Sequence, residues 1–230
     1  RQIGERLPVS VPAFFFIDIQ GEQAEDFDAT VTAVPGVGPL RRVPALRGRI
    51  VRLNRTPVEE APIAPEARWA VQGDRALTFA SAPPEDARIT AGAWWPAGYE
   101  GPPLLSLDAG LATGFGLGVG DTLTVNVLGR NIEARIASLR QIEWRAVPFD
   151  FALIFTPATF AGAPLTHIAA VHAPPAAETA LAAAVSARFS NITAIRTREA
   201  IEAVSGLMAR VAFGVRSVAA ITLVAGALVL

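Results

Sequence analysis

Residues 114–139 read GFGLGVGDTLTVNVLGRNIEARIASL, four glycines at alternate positions followed by two runs of alternating apolar and polar residues. The runs predict two β-strands, and residues 128–131 between them predict a tight turn. Upstream, residues 106–112 suggest a short helix with Gly114 or Gly116 as its C-cap. A nucleotide-binding glycine loop has the opposite order, with a strand before the glycines and a helix after them. We therefore interpret the glycines as a helix cap and a turn that lead into a hairpin.

The composition excludes several kinds of chemistry. The chain contains no cysteine, which rules out disulfides, thiolate metal sites and cysteine nucleophiles. All 20 basic residues are arginine, so no lysine is present for a phosphate-binding loop, a Schiff base or a Ser-x-x-Lys pair. The net charge of -1 is not typical of a protein devoted to nucleic acid. If ATP drives this protein, another chain or a segment outside this sequence must hydrolyse it.

The remaining sequence predicts short strands alternating with helices, and therefore an α+β fold. An apolar strand at 13–20 precedes apolar residues at helical spacing (Ala24, Phe27, Val31 and Val34). Further elements are expected as one or two strands at 40–54, strands at 151–157, 166–173 and 191–197, a helix at 174–189, and a long helix from Arg198. Strand-helix-strand units thus lie at both ends, around a β-rich insertion. We expect 12–45 and 150–200 to pack as one α+β subdomain, with 46–149 as the insertion.

The last residues, 217–230, read SVAAITLVAGALVL and are apolar or small at every position. A buried core helix would show a polar stripe, whereas a membrane-spanning helix of roughly 20 residues would not. We therefore predict an extramembrane domain at 1–210 and the beginning of a transmembrane helix at 211–230. No secretory leader opens the sequence, which begins with polar residues and prolines. The chain is interpreted as part of a larger membrane protein.

Catalytic and metal sites find little support. His167 and His172 lie five residues apart in a predicted strand, so their side chains are expected on opposite faces and not on one metal ion. No G-x-S-x-G motif supplies a nucleophile for a serine triad. Acidic residues cluster at the start of the first predicted helix, where they favour the helix dipole and face water (Glu22, Glu25, Asp26 and Asp28). We expect no catalytic residue, cofactor or metal in this chain.

Two features suggest partner binding. Trp94 and Trp95 lie close to Tyr99 in a proline-rich loop, where adjacent side chains of an extended segment point opposite ways. One ring is then buried and the other offered to a partner, although both could fill the core of the domain. Arg47 and Arg49 belong to a run of arginines. One hypothesis is that this run binds lipid headgroups or an acidic partner, and the other is that it is neutralised by nearby acidic residues within the fold.

Residues 116–160, GLGVGDTLTVNVLGRNIEARIASLRQIEWRAVPFDFALIFTPATF, resemble the extracytoplasmic domain of the FtsX-like, MacB-type ABC transporter permeases. In these permeases a stretch similar to lGlkvGDtvtv precedes a hairpin, and a strand ending in F-x-P follows. RGRIVRLN at 47–54 and AGAWWPAGY at 91–99 look closest to the YbbP-type branch. The resemblance extends from about residue 12 to 230, and its motifs are structural. Relatives often have the residues kvGD at this point, whereas residues 118–121 of this chain are GVGD, with Gly118 in place of the k. We assign no consequence to this difference.

The resemblance implies a periplasmic domain of a bacterial inner-membrane permease that dimerises and pairs with a cytoplasmic ABC ATPase subunit. Such a domain binds partners or cargo and transmits ATP-driven motion. A periplasmic lysophospholipase or thioesterase, or a lipid-like cargo, is an expected partner of the YbbP-type branch. The sequence leaves two alternatives open, a membrane-anchored sensor or ligand-binding module and, less supported, a membrane-tethered hydrolase.

Overall fold

The computed structural model of the chain describes residues 11–84, 87–142 and 151–199. Its strands are β1 (Phe14–Gln20), β2 (Leu40–Leu53), β3 (Thr56–Pro57), β4 (Arg75–Phe79), β5 (Arg88–Gly92), β6 (Leu104–Asp108), β7 (Thr122–Val127), β8 (Arg130–Gln141), β9 (Leu153–Phe155), β10 (Thr166–Val171) and β11 (Thr193–Arg196). Its α-helices are α1 (Ala24–Thr32), α2 (Ala109–Phe115) and α3 (Pro175–Arg188). Turns of 3₁₀-helix lie at Gly21–Gln23, Pro65–Ala70 and Pro157–Phe160.

Four strands and two helices form an α/β layer. The strand order is β11-β1-β10-β2, and every neighbouring pair is antiparallel. Since the chain runs β1-α1-β2 and later β10-α3-β11, the layer is a ferredoxin-like β-α-β-β-α-β arrangement with an insertion after β2. Phe14 and Phe16 of β1 are fully buried in the core shared with both helices. The ring of Phe16 meets Phe27 of α1 edge-on at a centroid distance of 5.2 Å.

The six strands β2, β4, β9, β6, β8 and β7 close into a barrel, because each pairs with the next and β7 pairs again with β2. The pairings β4–β9 and β6–β8 are parallel, and the other pairings of the ring are antiparallel. Alternate residues of these strands point inward and fill the interior. Fully buried examples are Leu77, Leu105, Leu123, Ile136 and Phe155.

Strand β2 belongs to both parts of the fold. Residues 40–45 pair with β10 in the α/β layer, and residues 46–53 pair with β4 and β7 in the barrel. Gly48 lies just after the junction, where an added Cβ would come within 2.6 Å of the Leu77 side chain and 2.8 Å of Val127. A larger side chain would therefore prevent the close approach of β2 to its barrel neighbours. The expected "one or two strands" are one continuous strand.

The helix-cap interpretation of the glycine stretch is confirmed, with one correction. Helix α2 ends at Gly116, whose φ of 66° is left-handed, and the strand β7 follows. The helix begins at Ala109 and not at residue 106, because residues 106–108 continue the fully buried strand β6. Asp108 accepts a hydrogen bond from the Leu111 N–H at 2.9 Å and so caps the helix. The hairpin turn is Leu128-Gly129, with φ values of 50° and 82°.

The mixed α+β class and the remaining strands and helices within the described ranges are confirmed. Strand β9 pairs inside the barrel, although its residues fall in the range 150–200 expected to form the α/β part. The division at residues 46–149 therefore stays a prediction, and so does the MacB-like character of the fold. The helix predicted from Arg198 falls almost entirely outside the described residues, which end at Glu199. The segment 211–230 lies outside the described residues, and inside them no helix has the length and apolarity to cross a membrane.

Candidate interaction surfaces

The two tryptophans pack together on the outer wall of the barrel. Their ring centroids lie 4.1 Å apart at an interplanar angle of 33°, so both side chains point the same way. The expectation that they point in opposite directions is wrong, because residues 93–97 are not a regular strand and alternation does not hold there. The indole N–H of Trp95 donates to the Ala80 carbonyl at 2.9 Å, and that of Trp94 donates to the Ser81 carbonyl at 3.2 Å.

Beneath these rings lies a small apolar cluster on the barrel exterior. Trp95 is 5% exposed and packs with Leu104 and Ile154, whose neighbours in the same strands point into the barrel. Tyr99 is half-buried beside them, and its hydroxyl donates to the Pro102 carbonyl at 3.0 Å. The aromatic residues therefore cover the barrel wall, and half-exposed ring surface of Trp94 and Tyr99 remains for a partner. Their role in partner binding stays a prediction.

The arginines of β2 form a second surface on a different wall. Arg47 and Arg49 are exposed, and the Arg49 Nε lies 3.4 Å from Asp74 with both side chains at least half exposed. The arginines lie on β2, whereas Trp95 packs on β6 and β9, and neither of these strands pairs with β2. The structure does not bring the predicted partner-binding residues together into one site.

The acidic cluster at the start of α1 serves partly in ion pairs. Asp28 accepts from the Nε and Nη2 of Arg42 at 3.0 and 2.8 Å, a bidentate pair that is about three-quarters buried on the arginine side. This hydrogen bonding raises the pKa of Arg42, and burial opposes the change. Asp26 lies 3.3 Å from Arg188 of α3 on the surface. Asp28 therefore does not simply face water, since it connects α1 to β2.

His167 is close to that ion pair. Its Nδ1 is buried without a hydrogen-bond partner. Burial lowers the pKa of His167, and the positive charge of Arg42 lowers it further, while Asp28 and a backbone hydrogen bond act in the opposite direction. His172 follows the last residue of β10. Within residues 11–84, 87–142 and 151–199, no three His, Cys, Asp or Glu side chains converge to hold a metal ion.

The glycine stretch at residues 114–121 forms hydrogen bonds within the fold. The Asp121 carboxylate accepts the Gly118 N–H at 2.7 Å, and the Asp121 N–H donates to the Gly118 carbonyl at 3.2 Å. The Gly120 N–H donates to the Ile136 carbonyl at 2.8 Å. A phosphate cradle needs several backbone N–H groups that point together into solvent, whereas these are used internally. The stretch orders the entry to the barrel hairpin.

A buried polar cluster inside the fold was not predicted from the sequence. The Ser106 hydroxyl accepts hydrogen bonds from Ser138 at 2.8 Å and from the Arg140 Nε at 2.9 Å, and Arg140 also donates to the Phe151 carbonyl at 2.6 Å. Both serines are fully buried and Arg140 is 3% exposed. Polar residues at strand positions flanked by leucines, SLD and SLR, were the available signal. Neither serine is accessible to solvent, and no base is present among these contacts, so the cluster lacks the features of an activated nucleophile. Its hydrogen bonds instead connect β6, β8 and the residues just before β9.

The surface of the described residues includes two concave sites beside these features. A cavity of about 230 Å³ lies beside Trp69 and Arg75, whose guanidinium carbon is 5.3 Å from the Trp69 ring centroid, and is walled by Leu111, Phe151 and Ile168. A larger groove of about 430 Å³ runs between the β7–β8 hairpin and the loop after β9, and we call it the hairpin groove. Its lining residues are Pro103, residues 127–128, residues 130–133 and residues 159–164.

Comparison with known proteins identifies one informative relative. The chain is 28% identical over 160 residues to YbbP of Escherichia coli (strain K12), which is described as an uncharacterized ABC transporter permease. This similarity supports the ABC transporter permease family. It covers 70% of this chain and 19% of the relative, so the chain spans about a fifth of the relative's length. No protein family model matches the chain.

The similarity supports a permease-subunit role and suggests a membrane protein. It also suggests a transporter component rather than an enzyme.

Proposed function

We propose that the chain is the periplasmic domain of a permease subunit of a bacterial inner-membrane ABC transporter. In this proposal the domain binds partners or cargo and transmits motion, while ATP is hydrolysed by a separate cytoplasmic subunit. The observation that carries the proposal is the similarity to the permease YbbP. The absence of lysine from the whole chain agrees with it, because a phosphate-loop ATPase site cannot be built here.

The architecture suits the transmission of motion. A barrel closed on itself is stiff, and it is joined to the α/β layer by the uninterrupted 14-residue strand β2. Displacement of the layer therefore moves the barrel with it, because β2 is hydrogen-bonded in both. Dimerisation, a lipid-like or hydrophobic cargo or an envelope protein, and a lysophospholipase or thioesterase partner are parts of the proposal that rest on the family resemblance alone.

The location is tested by cysteine labelling of the full-length protein. The chain contains no cysteine, so one introduced at exposed Leu128 is unique within the domain, once cysteines elsewhere in the full-length protein are replaced. A maleimide that does not cross the inner membrane is expected to label Leu128→Cys in cells with a permeabilised outer membrane. Labelling only after lysis of the inner membrane would contradict the periplasmic placement.

Transmission is tested in lipid nanodiscs that hold the full-length subunit and the ATPase subunit with which it co-purifies. Two glycines inserted between Ala45 and Leu46, where β2 passes from the layer into the barrel, should decouple the two parts, and we expect the ATPase rate to change at least twofold. Two glycines inserted at the exposed turn after Gly129 provide the matched control. Equal ATPase rates for the wild type and both insertions, with intact assembly, would show that the domain does not transmit motion.

A further inference from the structure

The hairpin groove lies against an unpaired edge of β8. Residues 130–135 of this strand pair with β7 on one side, whereas β6 begins to pair with β8 only at Arg135. The Arg135 N–H donates to the Pro103 carbonyl on the β6 side, and the Ile136 N–H donates to the Asp121 carbonyl on the β7 side. Because these directions alternate along a strand, the backbone groups of Asn131 and Glu133 also point to the β6 side, into the groove.

No other described residue pairs with these backbone groups. Asn131 and Glu133 have backbone N–H and C=O groups that take part in no hydrogen bond with residues 11–84, 87–142 or 151–199. Residues two apart in a strand are about 6.6 Å apart, the spacing at which a neighbouring strand presents its own alternate backbone groups. An exposed edge of this kind is a template for the backbone of another extended chain.

The walls of the groove supply apolar contacts beside that edge. Phe160 is 3% exposed and lines the groove together with Ile132 and Ala163, while Leu128 at the turn is 69% exposed. Leu128 has a φ of 50°, a conformation that disfavours leucine and that asparagine or glycine adopts easily in such a turn. A large apolar side chain is thus displayed at the mouth of the groove at a local conformational cost.

Charges of both signs lie along the same edge. Arg130 and Glu133 line the groove, both are exposed, and neither forms an ion pair with another described residue. They stand on opposite faces of β8, so a bound strand places an acidic side chain near Arg130 and a basic one near Glu133.

We propose that the hairpin groove binds an extended peptide segment of a partner protein, which adds to β8 as a further strand beside Asn131 and Glu133. The free backbone groups select a peptide, since a lipid chain offers no alternating donors and acceptors. The loop at 159–164 forms the opposing wall of the groove. The proposal does not depend on the assignment to a permease, and its test uses this chain alone.

The test begins with random dodecapeptides displayed on phage and selected against the 230-residue chain. The strongest peptide is synthesised with fluorescein, and its dissociation constant is measured by fluorescence anisotropy. Two further versions carry N-methyl groups on alternate residues, one on the odd and one on the even positions. Because only one set of amides faces β8, we expect one version to bind at least tenfold more weakly and the other to bind within threefold of the parent.

Variants of the chain locate the site. Glu133→Pro removes the N–H that faces the groove, and Ala161→Trp fills the groove from its exposed loop; each should weaken binding at least tenfold. Ala194→Pro is the matched control, because it removes an outward-facing N–H from a different edge strand, β11, and should change binding less than twofold. Circular dichroism and thermal melts establish that each variant folds. If Glu133→Pro does not fold, Ala161→Trp and the N-methyl series decide.

Several results would overturn the proposal. These are the absence of any selected peptide, equal effects of the two N-methyl versions, and undiminished binding to folded Glu133→Pro and Ala161→Trp. A dimer in size-exclusion chromatography that Ala161→Trp dissociates would assign the groove to a second copy of the chain. Competition of the peptide by phosphatidylglycerol vesicles, with loss of vesicle binding in Ala161→Trp, would assign it to lipid.

Discussion

The contact between Gly114 and Ala67 offers a sharp test of the packing around the barrel. Gly114 is buried in α2, and a Cβ added there would lie 2.4 Å from the Ala67 Cβ in the 3₁₀ turn Pro65–Ala70. Ordinary carbon contacts are about 3.5–4.0 Å, so the helix and the turn must separate by more than 1 Å to accept Gly114→Ala. Overpacking of this kind costs about 1–3 kcal/mol, and alanine returns up to about 1 kcal/mol through its helix propensity.

A double-mutant cycle separates the steric cost of Gly114→Ala from the gain in helix propensity. Ala67→Gly removes the atom that the new methyl group meets, so Gly114→Ala should cost about 1–3 kcal/mol less in the Ala67→Gly background than in the wild type. The measurement is urea unfolding of the four proteins at 25 °C, analysed for midpoints at unchanged slope.

A control and a refutation accompany the cycle. Gly116→Ala should cost about 1 kcal/mol equally in both backgrounds, because Gly116 has a left-handed φ of 66° but no atom within 4 Å of an added Cβ. Gly114→Ala and Ala67→Gly effects that are additive within about 0.5 kcal/mol would show that the two side chains do not clash. A coupling energy for Gly116→Ala as large as that for Gly114→Ala would also contradict it.

Three further predictions concern single residues. The pKa of His167 is lowered in the folded state from 6.5, so the unfolded state binds a proton at this residue first as the pH falls. The contribution of neutral His167 to stability is therefore complete above pH 6.5 and is lost as the pH falls through the folded pKa. Between pH 7.5 and 5 the urea midpoint should fall less for His167→Gln than for the wild type, and an equal fall in both proteins would contradict this. Leu128→Gly should raise the free energy of unfolding by about 1 kcal/mol, since glycine tolerates the φ of 50°. The same change should weaken peptide binding in the hairpin groove. A lower free energy of unfolding in urea would argue against strain at the turn. Arg42→Ala should lower the free energy of unfolding by about 1 kcal/mol with little dependence on salt, whereas Arg49→Ala should lower it by less than about 0.5 kcal/mol. The reason is that the bidentate pair of Arg42 with Asp28 is more buried than the pair of Arg49 with Asp74. Thermal melts at low and high salt measure the two losses, and equal losses would contradict the ranking.

Local pattern was sufficient for much of the secondary structure. The alternation in residues 121–139 predicted both strands of the hairpin. Gly114 and Gly116 were the two candidates for the C-cap of α2, because glycine adopts a left-handed cap without penalty, and Gly116 is the cap. The same reasoning misplaced the start of that helix. Residues 106–108 are apolar and polar in a mixture that suits a helix, but their burial between β8 and β9 makes them a strand.

Candidate surfaces were harder to predict than elements. Alternation placed Trp94 and Trp95 on opposite faces, but their backbone is irregular and the two rings stack on the barrel wall, where Ala80 and Ser81 accept their N–H groups. The buried cluster of Ser106, Ser138 and Arg140 joins residues 34 positions apart. No local signal specifies such a meeting, because it depends on which strands become neighbours.

The sequence by itself determined the α+β class, the order of strands and helices at 13–54 and 151–197, the hairpin with its glycine cap, and the absence of lysine- and cysteine-based chemistry, since these depend on local periodicity and residue type. The tertiary structure decided the rest. Closure of the barrel through β2 and β7, the separation of the arginines from the tryptophans, and the free edge at Asn131 and Glu133 all follow from which distant strands pair. Strand pairing over such separations depends on the burial of the whole core, which no short stretch of sequence specifies.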